Sequence, residues 1–219
     1  MTKFVHSGIQ KKSYVQKMFN DIAGKYDFLN HFLSFGIDYY WRKKFINLLK
    51  INDHNIVVDI ATGTGDIARL LSKQYNVNVI GLDYAFNMLK VADKNLRSDK
   101  NISLLFGDAE NLPFRDNSVD MITVSFGFRN FGNYNKALSE FHRILKPNGK
   151  IAILEFGTPK NRLIQFGFNI YFQYLLPFIG KVFSSSDGYK YLPESVDMFL
   201  TNTQIKKIVK DCKLQLTHH

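Results

Sequence analysis

The sequence predicts an α/β fold carried by a mostly parallel, doubly wound sheet. Three observations predict it. Short apolar strand-like runs alternate with amphipathic helical segments over about residues 51–159, a glycine turn follows the first run, and acidic residues recur at the carboxyl ends of the runs, the edge where open α/β sheets bind ligands.

Taken in order, residues from about Ser13 to Leu49 mix aromatic and polar positions and predict two or three helices, with Trp41 and Phe45 spaced i, i+4 on one face. The alternation then begins with strand Ile56 to Ile60, a glycine turn, helix Ile67 to Gln74 and strand Val77 to Leu82, which is one βαβ unit. Helix Ala85 to Arg97, strand Ile102 to Phe106, a loop holding Pro113, strand Met121 to Ser125, helix Asn135 to Leu145 and strand Lys150 to Phe156 follow. Pro147-Asn148-Gly149 predicts a turn between the last helix and the last strand. The aromatic stretch from Leu163 to Phe183 approaches a membrane span in length, but its amides, Pro177 and Lys181 favour an amphipathic lid or a surface helix, with an edge-closing structural helix as the equal alternative.

The chain of 219 residues is expected to form one domain, large enough to bury a core without disulfides or a structural metal. It divides into a helical cap over about residues 1–50, a ligand-binding core over about 51–159 and an aromatic lid or insertion over about 160–200. The single cysteine, Cys212, excludes an intrachain disulfide, and the N-terminus has no apolar run of a secretory signal, so a reducing cytoplasm is expected. No histidine or cysteine pair has metal-ligand spacing, and no metal site is expected. The formal charge of +10 admits a nucleic acid, an anionic membrane or a merely solvated basic surface, and composition does not choose among them.

The chemistry begins at Asp59-Ile-Ala-Thr-Gly63-Thr-Gly65-Asp66, where the first strand turns into the first helix. Gly63-x-Gly65-x-x-Ala68 also fits a dinucleotide fingerprint, so this loop leaves a nicotinamide-dependent oxidoreductase open. Asp83 closes the second strand, where a carboxylate accepts from both ribose hydroxyls; Asp108 follows the third, where one accepts from an adenine amino group while the next backbone N–H, that of Ala109, donates to the ring. Each acid alone reads as a helix cap or a solvated loop residue; three at successive strand ends favour a nucleoside ligand.

Asp59 to Asp66, Gly81-Leu-Asp83 with Asn87-Met88-Leu89, and Gly107 to Phe114 resemble the successive S-adenosylmethionine motifs of Rossmann-like class I methyltransferases. Tyr26-Asp-Phe-Leu-Asn30 with Ser34-x-Gly36-x-Asp38-x-x-Trp41, then Ser125-Phe-Gly-Phe-Arg129-Asn130, Arg143 to Gly149 running on to Glu155-Phe-Gly157, and Tyr189-x-Tyr-Leu-Pro-Glu-Ser195 resemble the signatures of the quinone-biosynthesis C-methyltransferases. Asp38 stands where that family commonly has histidine, Asn148 where glycine is usual and Gly157 where serine is usual. The chain ends at His219, before the strand pair that closes the family's sheet, which implies a shorter sheet or a shortened chain.

The resemblance implies methylation of a ring carbon of a polyprenyl quinol in menaquinone or ubiquinone biosynthesis, with S-adenosyl-L-methionine as methyl donor, S-adenosyl-L-homocysteine as product and no metal. It implies that Asp59, Gly63, Thr64, Gly65, Asp83, Met88, Asp108, Ala109 and Ser125 form the cofactor site, although a methionine at Met88 fits core packing equally well. Arg129 and Asn130 are the candidates for the reacting ring, with Arg129 stabilising a quinolate oxygen; an ion pair with a neighbouring acid is the structural alternative for Arg129. Tyr26, Asn30, Trp41, Tyr189 and Tyr191 are candidates to wall the ring and tail, with core packing the alternative for Trp41 and Tyr191. A tail that lives in a bilayer implies peripheral contact with the inner face of the membrane; no nucleic-acid partner is expected, and the resemblance allows for a homodimer. A methyltransferase of the same fold acting on RNA or another small molecule shares every cofactor motif but leaves the N-terminal signature unexplained.

Overall fold

The computed structural model describes residues 7–34, 36–157 and 188–217. Three helices, α1 (Gly8–Ile22), α2 (Tyr26–Leu33) and α3 (Ile37–Leu48), precede the alternating core. The core runs β1 (Ile56–Ile60), α4 (Asp66–Gln74), β2 (Asn78–Asp83), α5 (Phe86–Asn95), β3 (Ile102–Phe106), β4 (Val119–Ser125), α6 (Tyr134–Ile144) and β5 (Leu145–Leu154). Helices α7 (Gly188–Asp197) and α8 (Asn202–Asp211) follow. The aromatic stretch from Leu163 to Phe183 lies outside the described residues.

The five strands among the described residues pair in parallel, in the order β3-β2-β1-β4-β5. The chain therefore reverses its direction of winding between β1 and β4, and a crevice opens at their carboxyl ends. Both faces of the sheet are covered, so the strands read as apolar runs rather than as alternating patterns. The two-residue period decides which helices each side chain meets. Val57, Val79 and Met121 face α3, α4 and α5, packing on Phe45, Ile46, Ile67, Leu71 and Ala92. Val58, Ile60, Ile122 and Val124 face α6, packing on Leu138, Phe141 and Ile144, and Ile208 of α8 and the free thiol Cys212 lie against this second cluster.

Two expectations are corrected. Pro147-Asn148-Gly149 is not a turn before the last strand, because β5 already starts at Leu145, which pairs with Val119. Residues 146–149 loop out opposite Asp120 before Lys150 resumes pairing with Met121. Asn148 takes the left-handed conformation this bulge needs, at φ 66°. Trp41 and Phe45 also do not share a buried face: Phe45 is in the core while Trp41 is 44% exposed, edge-on to Tyr40 with Lys44 over its ring. The i, i+4 spacing placed them on adjacent stripes, and only the Phe45 stripe meets α4.

Candidate functional site

A cleft opens at the carboxyl ends of β1, β2 and β4 and is roofed by α1, through Lys12, Val15, Gln16 and Phe19. A second, smaller cavity adjoins it at the turn into α4. The two share Tyr26, Ala61, Gly63 and Ser125.

The floor is made where two strand ends meet. Ala61 and Phe126, each one residue past β1 and β4, take positive φ of 55°, a costly conformation for residues with a Cβ that is retained at functional sites. A Cβ on Gly127 would stand 2.6 Å from that of Ala61, so glycine is required for the two ends to abut. Gly63, at φ 58°, has nothing within 4 Å of where its Cβ would be. Its backbone thus faces open space, as a close ligand approach demands.

Asp59 is wholly enclosed. Its two oxygens accept from Thr62 Oγ1 at 2.6 Å and from Thr123 Oγ1, on the neighbouring strand, at 2.7 Å. Burial pushes its carboxyl up to about 7 despite those two donors. Asp83 accepts from the backbone N–H of Gly63 at 2.8 Å and of Ala85 at 2.7 Å, and burial raises its pKa as well. Asp83 thereby fixes the glycine loop while keeping a lone pair on each oxygen for a ligand in the cleft it lines. Met88 is buried beside Ala23 and Ala85 and also lines the cleft.

Asp108 and Ala109 line the far end of the cleft. Asp108 receives the Lys12 ammonium at 2.5 Å and the backbone N–H of Glu110 at 2.9 Å, and Lys12 also pairs with Glu110 at 3.2 Å. Thr64 and Gly65 form the entry to α4; the Thr64 hydroxyl donates to Asp27 at 2.5 Å and its carbonyl accepts from Asn95 at 3.2 Å. Ser125 lines both cavities, and its buried hydroxyl has no hydrogen-bond partner among the described residues. Such an orphan is expected where a ligand supplies the missing bond.

Asn130 lines the cleft and accepts from the Tyr191 hydroxyl at 3.2 Å. Arg129 stands behind it. Its guanidinium pairs with Glu155 at 2.5 Å, both side chains 6% exposed, and donates to the Phe126 carbonyl at 2.6 Å, while Nε is buried with no partner among the described residues. Glu155 also accepts the Arg129 backbone N–H at 3.0 Å. Lys11 of α1 reaches the Arg129 carbonyl at 2.6 Å, and burial, chiefly, lowers its pKa to about 8.

The remaining substrate-side candidates separate. Tyr26 lines both cavities. Asn30 instead supports Asp38, donating at 3.3 Å, and Tyr191 is a core residue packed against Tyr14 with its hydroxyl on Asn130. Of Tyr189 only the backbone, in α7, is described, so its role lies outside the described side chains. Asp38 is buried and bonded to Arg42, to Ser34 and, at 2.8 Å, to His31. Burial alone would raise its pKa, but the Ser34 hydrogen bond and the Arg42 and His31 charges hold it below the usual carboxylate range. No group of three or more His, Cys, Asp or Glu side chains able to hold a metal ion occurs among the described residues.

The ion pair expected as the alternative for Arg129 is present, with Glu155 as the acid that sequence reasoning did not name; that reasoning also missed Lys12 on Asp108 and Arg42 in the smaller cavity. For Glu155 the signal was available, since it ends the strand beside the one that leads to Arg129. For Lys12 and Arg42 there was none, because their targets come from chain segments remote in sequence.

The profile described as the ubiE/COQ5 methyltransferase family matches residues 7–218. The demethylmenaquinone methyltransferase of Thermotoga maritima is 43% identical over 93% of this chain and 89% of its own. The ubiquinone/menaquinone biosynthesis C-methyltransferase UbiE of Geotalea daltonii is 37% identical over 96% and 92%. Among solved structures, an S-adenosylmethionine-dependent methyltransferase from Aquifex aeolicus superposes with a TM-score of 0.60 at 20% identity, covering 81% of each chain. That last likeness is one of fold.

Proposed function

The chain belongs to the ubiE/COQ5 methyltransferase family, and from that premise we propose that it methylates a ring carbon of a polyprenylated quinol, with S-adenosylmethionine as the methyl donor. The observation that carries this reading is the match to quinone-biosynthesis methyltransferases over nearly the whole chain, through the substrate-side helices as well as the cofactor loop. The cleft fits the donor: Gly63 leaves open space, Ser125 offers an unsatisfied hydroxyl, and Asp83 and Asp108 keep acceptor capacity at two strand ends.

In this reading Asp83 accepts the ribose hydroxyls, Asp108 and the Ala109 N–H bind adenine, Met88 packs beside it, and Gly63, Thr64, Gly65 and Ser125 surround the amino-acid half. Asp59, with both oxygens committed to threonines, holds the loop in shape. When bound, the donor supplies an electrophilic methyl group on a sulfonium. The chain's residues orient the ring, exclude water and stabilise the phenolate that makes the adjacent ring carbon nucleophilic. Asn130 faces the ring, positioned by Tyr191. Arg129, paired with Glu155, adds positive potential from behind. Residues 1–50 act as the substrate-side cap and residues 51–159 as the cofactor core.

No helix among the described residues is long and apolar enough to cross a membrane. Peripheral contact is supported by the exposed row Ile37, Tyr39, Tyr40 and Trp41 on α3, followed by exposed Lys43 and Lys44. Tyrosine, tryptophan and lysine in this arrangement suit an anionic bilayer surface, and Trp41 there meets the tail rather than the ring.

The deciding experiment incubates the protein with methyl-labelled S-adenosylmethionine and reduced demethylmenaquinol or methoxy-polyprenyl-benzoquinol analogues, and locates the label by mass spectrometry. Label on the ring is the expected result and reports the acceptor range. Donor binding without label on either quinol overturns the substrate assignment.

A further inference from the structure

The smaller cavity has a charge pattern that the cofactor motifs leave unused. Besides backbone from the glycine turn, it is walled by one cation, Arg42, and by the carboxylates Asp59 and Asp66, with the Thr64 and Ser125 side chains between. Arg42 comes from α3, outside the core, and is buried. Its bonds to Asp38 and, at 3.2 Å, to Asp66 both use Nη1. Nε and Nη2 make no hydrogen bond among the described residues, and neither is sealed from the cavity as a buried orphan. Beside them opens the N-terminus of α4, where backbone N–H groups and the helix dipole favour an anion.

Building on the donor reading above, we propose that Arg42 anchors the α-carboxylate of the methyl donor in the smaller cavity, while Asp66 faces its ammonium group. Three features favour a zwitterion over a simple anion. A guanidinium flanked by two carboxylates repels a dianion such as phosphate yet suits adjacent opposite charges. The cavity joins the main cleft through Tyr26, Ala61, Gly63 and Ser125, so a ligand whose nucleoside lies at Asp83 and Asp108 reaches it through its short amino-acid arm. The orphan Ser125 hydroxyl stands where the two spaces meet.

Asp38 is then a positioning residue. It grips Nη1 and leaves the rest of the fork toward the cavity, with Ser34, Asn30 and His31 holding Asp38 in turn. The substrate-side cap thus supplies one end of the cofactor site, and the site is complete only when α3 is docked.

The test compares three ligands by calorimetry on the full chain: S-adenosylhomocysteine, its carboxyl methyl ester, and 5′-methylthioadenosine, which lacks the amino-acid arm. The wild type is expected to bind the free acid about ten- to a hundredfold more tightly than the ester, the range for a charge-assisted hydrogen bond. Arg42→Gln should close most of that gap, and Arg42→Lys, which keeps a cation for Asp38, should narrow it severalfold. 5′-Methylthioadenosine should bind both variants within about twofold of wild type, which also reports that they are folded. Equal binding of acid and ester by the wild type overturns the proposal. So does an unchanged gap in either variant, or an equal loss of all three ligands in Arg42→Lys. If none of the three binds the wild type, the donor reading itself fails, a different outcome from either.

Discussion

The Arg129–Glu155 pair is enclosed on both sides, so the two residues must be tested together. Removing one partner of a buried pair leaves an uncompensated charge and costs about 3–5 kcal/mol. Arg129→Ala is therefore expected to lower the melting temperature markedly, and Glu155→Gln in the same chain to recover much of that loss. Turnover should stay low in the double variant while cofactor affinity is kept; recovery of turnover would show that Arg129 serves only to neutralise Glu155. Asp59 gives a second prediction. Burial pushes its carboxyl up to about 7 in the folded chain from an ordinary 3.8, so the folded state binds the extra proton between these values. Stability contributed by this group then falls as pH rises from about 4 to about 7 and stays at the lower level above. Asp59→Asn should flatten that slope in melting curves taken across the window, and an unaltered slope would place the titration elsewhere. The strand-end acids were legible in the sequence because strand, turn and helix signals fixed their place on the sheet edge. Their partners were not, since no local pattern announces that Lys12 lands on Asp108 or that Asn30 donates to Asp38.

At the scale of elements, α1 differs from a wall of the cleft in being tied down by polar contacts. Lys12 bonds Asp108 and Glu110, Gln16 donates to the Tyr84 carbonyl at 2.8 Å, and the Gly8 N–H donates to the Gly132 carbonyl at 3.0 Å. An ion pair of this partial exposure weakens with salt. Lys12→Met is expected to speed dissociation of S-adenosylhomocysteine severalfold at low ionic strength in stopped-flow displacement, with the difference from wild type shrinking as salt is raised. Unchanged dissociation would mean that the lysine is ornamental to retention. The helical period announced α4, α5 and α6 to within a residue or two at most ends, because each has an apolar stripe that meets the sheet. The start of β5 was hidden, since residues 146–149 carry turn chemistry inside a strand whose pairing begins before them.

For the whole molecule, the order of strands places every cofactor candidate at one edge, and that much followed from βαβ alternation alone. The positive charge could not be assigned to a partner from composition; the exposed α3 row beside Lys43 and Lys44 gives it a direction. Vesicle flotation should show binding that requires anionic lipid and fades with added salt, and Tyr40→Ser with Trp41→Ser should reduce it while leaving S-adenosylhomocysteine affinity unchanged. Flotation independent of lipid charge, or undiminished in that variant, would remove this face as the contact.

Lys11 and Lys12 are neighbours in the chain, yet one grasps the carbonyl of Arg129 at the ring end and the other the acids at the adenine end. On the proposed assignment of the site, a single helix therefore touches the binding regions of both reactants. Whatever one ligand does to seat α1 changes the free energy left for the other, and that coupling is equal in the two directions. The proposed function thus carries a reciprocal consequence: each quinol analogue that tightens donor binding must itself be held more tightly by the same factor.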